Sequence, residues 1–131
     1  MLKHLLVIAV LLLTGAGSPA AQACLHGRTE TGADRMRRER AMQLAHRINA
    51  EQRGRLVPAP RLRYRTLDQL GDLPPTPQGF DLNLLTDGAS YAFSVKDRLD
   101  PCNYAIFSDQ DGKIYAAEAD NQFVILPVEA R

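Results

Sequence analysis

Residues 102–118, CNYAIFSDQDGKIYAAE, decide the expected fold because they predict two β-strands around one tight turn. Apolar residues alternate between two faces along the first strand, which is expected to begin at Cys102. The sequence DQDG follows, and Gly112 can adopt the positive φ that a tight hairpin turn needs. The stretch therefore predicts an antiparallel hairpin in the last third of the chain.

The same two-residue period extends the expected sheet on both sides of this hairpin. Residues 80–84, FDLNL, and residues 91–95, YAFSV, show the alternation of strands and are separated by turn residues. Residues 123–126, FVIL, are expected to form a short last strand before a proline. These segments predict a sheet of four or five antiparallel strands, connected as a meander, over residues 80–126.

A helix is expected before the sheet. Residues 33–53 contain no proline, no glycine and few β-branched residues. Their apolar positions form one narrow stripe at helical spacing, made of Ala41, Leu44, Ala45 and Ile48. Residues 55–79 form a proline-rich connector, which excludes long regular elements. The expected fold class is α+β, with one N-terminal helix packed on a four- to five-stranded antiparallel β-meander.

The beginning of the chain has the three parts of a secretory signal, over residues 1–23. A short polar start precedes the apolar run LLVIAVLLL, and small residues follow as far as Ala23. The apolar run is shorter than the roughly 20 residues that a membrane-spanning helix needs. We therefore expect cleavage after Ala23, with a site after Ala20 as the alternative. The expected product is a periplasmic or secreted single domain over residues 24–131, without a transmembrane segment in the mature chain.

The two cysteines allow two interpretations. A pair of cysteines in an exported chain usually forms a disulfide, which predicts a bond between Cys24 and Cys102. Cys24 also follows the expected cleavage site directly, as the lipidated cysteine of a lipoprotein does. The residue three positions before it is Ala21 rather than a bulky aliphatic residue, so the disulfide is favoured over a lipid anchor.

Charge divides the mature chain into two halves. Residues 24–65 contain eleven basic and four acidic residues, whereas residues 66–131 contain four basic and eleven acidic residues. Either the two halves pack against each other, or an arginine-rich face meets an acidic protein partner or membrane headgroups. The candidate partner-binding residues are four helix arginines and two strand tyrosines: Arg35, Arg37, Arg38, Arg40, Tyr91 and Tyr104. Nucleic acid is not an expected partner, because few aromatic residues accompany the arginines.

Few residues carry a recognisable chemistry. Asp109 and Asp111 resemble the opening of a calcium loop, but Ala119 occupies the position of the closing glutamate, so a hairpin turn is favoured. His26 and His46, the histidines that follow the signal, lie in no metal-ligand pattern. No Gly-x-Ser-x-Gly motif, paired-glutamate arrangement or cysteine–histidine nucleophile arrangement is present. We therefore expect no enzymatic activity, no cofactor and no metal beyond this calcium candidate.

The order of helix, proline-rich connector and sheet resembles the globular part of type IV pilins and of the pseudopilins of type II secretion. In that group, a tyrosine-rich strand is followed by a cysteine and by a strand that ends in an aspartate–glycine turn. The corresponding features here are Tyr91, Cys102, Tyr104 and residues 109–112. The resemblance covers roughly residues 33–117 and implies a partner in a secretion or pilus system. Because some pseudopilins bind calcium in a loop of this region, the resemblance also implies calcium binding near the aspartate turn.

Residues 1–32 depart from this pattern, because they contain neither a prepilin leader nor the apolar helix that follows one. The resemblance therefore implies a detached pilin-like domain, and filament building does not follow from it. The resulting hypothesis is a small exported, non-enzymatic binding or structural protein that assists a secretion or pilus system. The alternatives are a small exported enzyme inhibitor or enzyme that acts through its surface loops, and a lipid-anchored envelope protein.

Overall fold

The computed structural model describes residues 23–54, residues 64–117 and the backbone of residues 123–126. Most of the predicted signal, residues 1–22, and part of the connector, residues 55–63, lie outside the described residues. Within the described ranges the chain forms one α-helix and a five-stranded antiparallel sheet, which confirms the predicted α+β class.

Helix α1 spans Gly32–Gly54, one residue longer at each end than predicted. Thr31 caps its first turn, because the Thr31 Oγ1 accepts a hydrogen bond from the Asp34 N–H at 3.1 Å. The predicted apolar stripe is buried, and so are two polar residues that continue it, Asn49 and Gln52. Tertiary packing of this face stabilises α1, since a narrow apolar stripe does not stabilise an isolated helix.

The sheet is a meander in the order β1-β2-β3-β4-β5. Its strands are β1 (Phe80–Thr86), β2 (Tyr91–Asp97), β3 (Ala105–Asp109), β4 (Ile114–Ala117) and β5 (Phe123–Leu126). Each strand pairs with the next one along the chain, and every pairing is antiparallel. This topology confirms the predicted connectivity.

One face of the sheet lies under α1 and forms the core. The buried side chains on this face are Tyr91, Phe93, Val95, Ile106, Ile114 and Ala116. The register explains the grouping, because Val95 pairs with Ile106 and paired residues point to the same face. α1 packs mainly against β3. Burial of each large apolar side chain contributes roughly 1.5–3 kcal/mol.

Strand β3 begins at Ala105, not at Cys102 as the hairpin prediction has it. A turn precedes the strand, in which the Asn103 N–H donates to the Asp100 carbonyl oxygen at 3.0 Å. Asn103 has a φ of 57°, a left-handed conformation that regular strands do not contain. The Asp100 carboxylate also accepts a hydrogen bond from the Cys102 N–H at 2.8 Å. Such local side-chain bonds compete with strand pairing.

The described part of the connector is joined to the end of α1 by hydrogen bonds. The Gln52 amide donates to the Arg65 carbonyl oxygen at 2.7 Å and accepts from the Arg65 N–H at 2.9 Å. A short helical turn is present at Leu67–Gln69, and Leu70 behind it is buried. The connector therefore adds to the core beside the helix.

Candidate functional site

A disulfide joins the beginning of the described chain to the loop before β3. Cys24 and Cys102 are bonded, with their Cα atoms 5.2 Å apart and a sequence separation of 78 residues. The bond confirms the predicted pairing, and it occupies the sulfur that a lipid anchor on Cys24 would need. His26 and Asp100 lie beside the bond, and we call these four residues the disulfide cluster.

The histidine and the aspartate of the disulfide cluster form a buried pair. The His26 Nδ1 contacts the Asp100 Oδ2, and the two side chains are only 4% and 1% exposed. The Asp100 Oδ1 accepts hydrogen bonds from the N–H groups of Leu25 at 3.2 Å and Cys102 at 2.8 Å. Sequence reasoning missed the pair because its members lie 74 residues apart. The pair fastens residues 24–31 to the loop before β3.

Arg38 makes its main contacts within the protein. Its guanidinium donates to both carboxylate oxygens of Glu30, at 2.6 and 2.9 Å, and lies 5.9 Å from the centroid of the Tyr104 ring. The hydrogen bond between them lowers the pKa of the Glu30 carboxyl and raises the pKa of the Arg38 guanidinium. Arg35 contacts the same carboxylate at 3.3 Å, but its side chain is 60% exposed. Arg38 is therefore a poor candidate for partner binding, whereas Arg35 remains accessible.

Arg37 connects the basic half of the chain to the acidic half. Its Nη2 lies 2.8 Å from the Asp97 Oδ2, and its Nη1 donates to the Gln78 carbonyl oxygen at 3.0 Å. The guanidinium also lies 5.2 Å from the centroid of the Phe80 ring. Asp97 is buried, so a variant without Arg37 would leave a buried carboxylate without its main counter-charge. These contacts support packing between the two halves as the role of Arg37.

Both tyrosines predicted to bind a partner belong to the core instead. Tyr91 and Tyr104 are each 2% exposed, because both pack into the cluster under α1. The Tyr91 hydroxyl donates to the Asn49 Oδ1 at 2.8 Å, and burial raises the pKa of Tyr91 to about 12. The prediction of an exposed, partner-binding tyrosine face was therefore wrong for these two residues.

Asp109 and Asp111 lie at the turn between β3 and β4. The Asp109 Oδ1 accepts a hydrogen bond from the Asp111 N–H at 2.9 Å, and the Asp109 carbonyl oxygen accepts one from the Gly112 N–H at 2.8 Å. Gly112 has a φ of 72°, the conformation predicted for it. Ala119, at the position of a closing calcium ligand, lies outside the described residues. Among the described side chains, the two aspartates belong to no group of three possible metal ligands.

The exposed side of α1 carries the remaining candidate arginine, Arg40. Met36, Arg40, Gln43 and Arg47 follow one another at spacings of one helical turn and are all exposed, and we call them the outer helix face. Met36 is 55% exposed, and Arg47 pairs with Glu51 at 3.1 Å. Arg40 makes no ion pair with another residue of the described chain.

An open cleft adjoins the outer helix face. Its described lining consists of Gln43, His46, Arg47 and Ala50 from α1 and of Asp72, Leu73 and Pro74 from the connector. Asp72 has a φ of 53°, which is uncommon for a residue other than glycine. The cleft therefore combines hydrogen-bond donors of the helix with apolar groups of the connector. His46 belongs to this lining through a tertiary contact, which no local sequence pattern indicates.

Comparison with known proteins gives no family assignment. The sequence matches no protein-family model, no curated protein and no solved structure. Within residues 23–54 and 64–117, no helix is long and apolar enough to cross a membrane. Function therefore has to be inferred from the geometry of the outer helix face and of the disulfide cluster.

Proposed function

We propose that this chain is a small exported binding protein with a pilin-like globular domain, and that it assists a secretion or pilus system. One helix on an antiparallel meander is the architecture that the resemblance implies, and this supports the proposal in general terms. The Cys24–Cys102 disulfide supports a periplasmic or secreted location, because disulfides persist in oxidising compartments.

The outer helix face is the observation that carries the binding role. It presents Arg40, whose charge has no ion partner in the described chain, next to the exposed side chain of Met36. Arginine and methionine are both enriched in protein interfaces. The proposed partner is a protein with an acidic surface, because Arg40 and Arg47 would complement it electrostatically.

The buried His26–Asp100 pair does not favour an enzyme. A general acid or base must come within hydrogen-bond reach of its substrate. The side chains of His26 and Asp100 are 4% and 1% exposed, so a substrate has no path to them in this conformation. The pair is better explained by its contacts with the backbone on both sides of the disulfide.

Site-specific photo-crosslinking in living cells tests the proposed interface. A photo-reactive amino acid at Gln43, within the outer helix face, should give a discrete crosslinked product that contains a component of a secretion or pilus system. The matched position is Asn83, which is exposed on the face of the sheet opposite α1 and should give no such product. Equal labelling at both positions, or a lipid product at Gln43, would contradict the proposal.

Charge reversal provides a second test of the same interface. Arg40→Glu combined with Arg47→Glu should reduce the Gln43 crosslink at least about tenfold, because two favourable contacts become repulsive. Arg98→Glu is the matched control, since Arg98 is exposed and lies away from the outer helix face, next to Asp81. An equal loss of crosslinking in the Arg98 variant would show that overall charge, and not this helix face, controls binding.

A further inference from the structure

The disulfide cluster brings together three side chains that can bind a metal. The Sγ atoms of Cys24 and Cys102 and a carboxylate oxygen of Asp100 all lie within 4.8 Å of one another. Residues 23–54 and 64–117 contain no other group of three such ligands. Asp100 is buried and both cysteines are half-buried, so the group lies at the edge of the core. Thiolate and carboxylate are ligands that zinc accepts in proteins.

We propose that the disulfide cluster becomes a zinc site when its disulfide is reduced, with Cys24, Cys102 and Asp100 as ligands. In the oxidised form the two sulfurs are bonded to each other and are not thiolates. A phosphine or dithiol reductant supplies two electrons and, with two protons, the disulfide becomes two thiols. Zn²⁺ then binds both sulfurs as thiolates and releases two protons to water.

The distances in the cluster suit this exchange. Zn–S bonds are about 2.3 Å long, so two sulfurs of a tetrahedral zinc site lie about 3.8 Å apart. That separation is longer than an S–S bond, so the two sulfurs must move apart after reduction, whereas the Asp100 oxygen already lies within 4.8 Å of both. The Cα atoms of Cys24 and Cys102 are 5.2 Å apart, so rotation of the two cysteine side chains can supply the sulfur–sulfur separation.

Asp100 is held in place by contacts to both of its carboxylate oxygens. Its Oδ1 accepts hydrogen bonds from the Leu25 and Cys102 N–H groups, and its Oδ2 contacts the His26 ring. Hydrogen bonds of this kind hold carboxylate ligands in place around metal ions. His26 is therefore a positioning residue for Asp100, and a water molecule completes the zinc coordination.

Zinc and the disulfide would be alternative crosslinks at the same point of the fold. Either one closes the loop between Cys24 and Cys102, whose sequence separation is 78 residues. The beginning of the mature chain would then stay attached to the sheet before and after oxidation. This inference does not depend on the proposed partner of the outer helix face.

Cobalt titration tests the site, because Co²⁺ reports its ligands through its absorption spectrum. The full chain is first reduced with a phosphine, and the phosphine is then removed under anaerobic conditions. The reduced protein should bind one equivalent of Co²⁺. The complex should show a thiolate-to-cobalt charge-transfer band and the intense visible bands of tetrahedral cobalt, and Zn²⁺ should remove both. Zn²⁺ should also raise the Tm of the reduced protein and leave that of the oxidised protein unchanged. A reduced chain without these bands would overturn the proposal.

Variants at Asp100 separate a built site from two thiols that happen to bind metal. Asp100→Asn keeps an oxygen for the backbone hydrogen bonds but loses the anionic ligand, so Co²⁺ affinity should fall at least about tenfold. Asp100→Glu keeps the carboxylate and should restore the tetrahedral spectrum. Asp111→Asn, the same change at an exposed turn residue, should bind Co²⁺ as the wild type does. Equal affinity of the wild type and Asp100→Asn would overturn the three-ligand site.

Discussion

At the scale of single residues, Asn49 joins α1 to the sheet through the core. Its Oδ1 accepts a hydrogen bond from the Tyr91 hydroxyl at 2.8 Å, and its Nδ2 donates to the Ser108 Oγ at 2.8 Å. The Ser108 hydroxyl donates in turn to the Lys113 carbonyl oxygen at 2.7 Å. Because all three side chains are buried, a missing partner would leave polar atoms away from water. The network therefore favours one position of the helix over others.

The pKa of Tyr91 predicts a loss of stability in alkaline solution. Burial raises this pKa to about 12 in the folded protein, whereas an unfolded tyrosine titrates near pH 10. Between these values the folded state binds more protons than the unfolded state, so the free energy of unfolding falls as pH rises from about 10 to about 12. Urea unfolding of the wild type at a series of pH values measures the slope.

Tyr91→Phe should flatten this alkaline decline and cost about 1 kcal/mol at neutral pH, because it removes one buried hydrogen bond to Asn49. Tyr115→Phe is the matched control, since Tyr115 lies on the opposite face of the sheet and is half-buried. The Tyr115 variant should keep the decline of the wild type. An unchanged alkaline slope in Tyr91→Phe would refute the assignment to Tyr91.

At the scale of elements, the first turn of α1 shows how local and distant contacts combine. Thr31 caps the helix within four residues of sequence, through the bond from the Asp34 N–H to its Oγ1 at 3.1 Å. Glu30, whose side chain is 4% exposed, pairs with Arg38 farther along the helix at 2.6 Å. An acidic side chain at this end also interacts favourably with the helix dipole. The cap and the ion pair therefore stabilise the start of α1 in addition to the packing of its narrow apolar stripe.

Removal of the cap should destabilise the domain by a modest, measurable amount. Thr31→Ala removes the oxygen that accepts the Asp34 N–H and should lower the free energy of unfolding by about 1 kcal/mol. Thr76→Ala is the matched control, because Thr76 is exposed and makes no hydrogen bond in the described part of the chain. Equal urea midpoints for the two variants would show that Thr31 does not act as a cap.

At the scale of the whole molecule, two kinds of contact tie residues 24–37 to the sheet. The disulfide and the His26–Asp100 pair attach residues 24–31 to the loop before β3. Arg37 pairs with Asp97 at the end of β2. These contacts join the basic half to the acidic half. Arg38, by contrast, pairs with Glu30, and both residues belong to the basic half. Folding therefore pairs only part of the basic half with the acidic half.

The disulfide should account for a large share of the net stability. In the chain-entropy model, a closed loop of 78 residues contributes about 4.5 kcal/mol, against a typical net stability of about 5–15 kcal/mol. Cys24→Ser combined with Cys102→Ser should lower the free energy of unfolding by about that amount in urea titrations. The wild type reduced without metal should match the double variant, and a loss below about 1 kcal/mol would contradict this role.

Most elements of the fold could be predicted because their signals are local. Apolar periods of about two and 3.6 residues indicated the strands and α1. Gly112 indicated the turn between β3 and β4 from its immediate neighbours. The disulfide was also predictable, because the chain contains only two cysteines. The start of β3 was not predictable, because the Asp100 side chain accepts a hydrogen bond from the local backbone and the strand begins only after this turn.

Only the tertiary structure decided which of these side chains reach the surface. Alternation along a strand separates two faces but does not say which face a helix will cover, and α1 covers the one that carries Tyr91. His26 is buried because it meets Asp100, 74 residues away, and Arg37 pairs with Asp97 for a similar reason. The sequence by itself determined elements, turns and the disulfide, since these depend on neighbours or on composition. The outer helix face around Arg40 was decided by long-range packing, which engaged Arg37 and left Arg40 exposed.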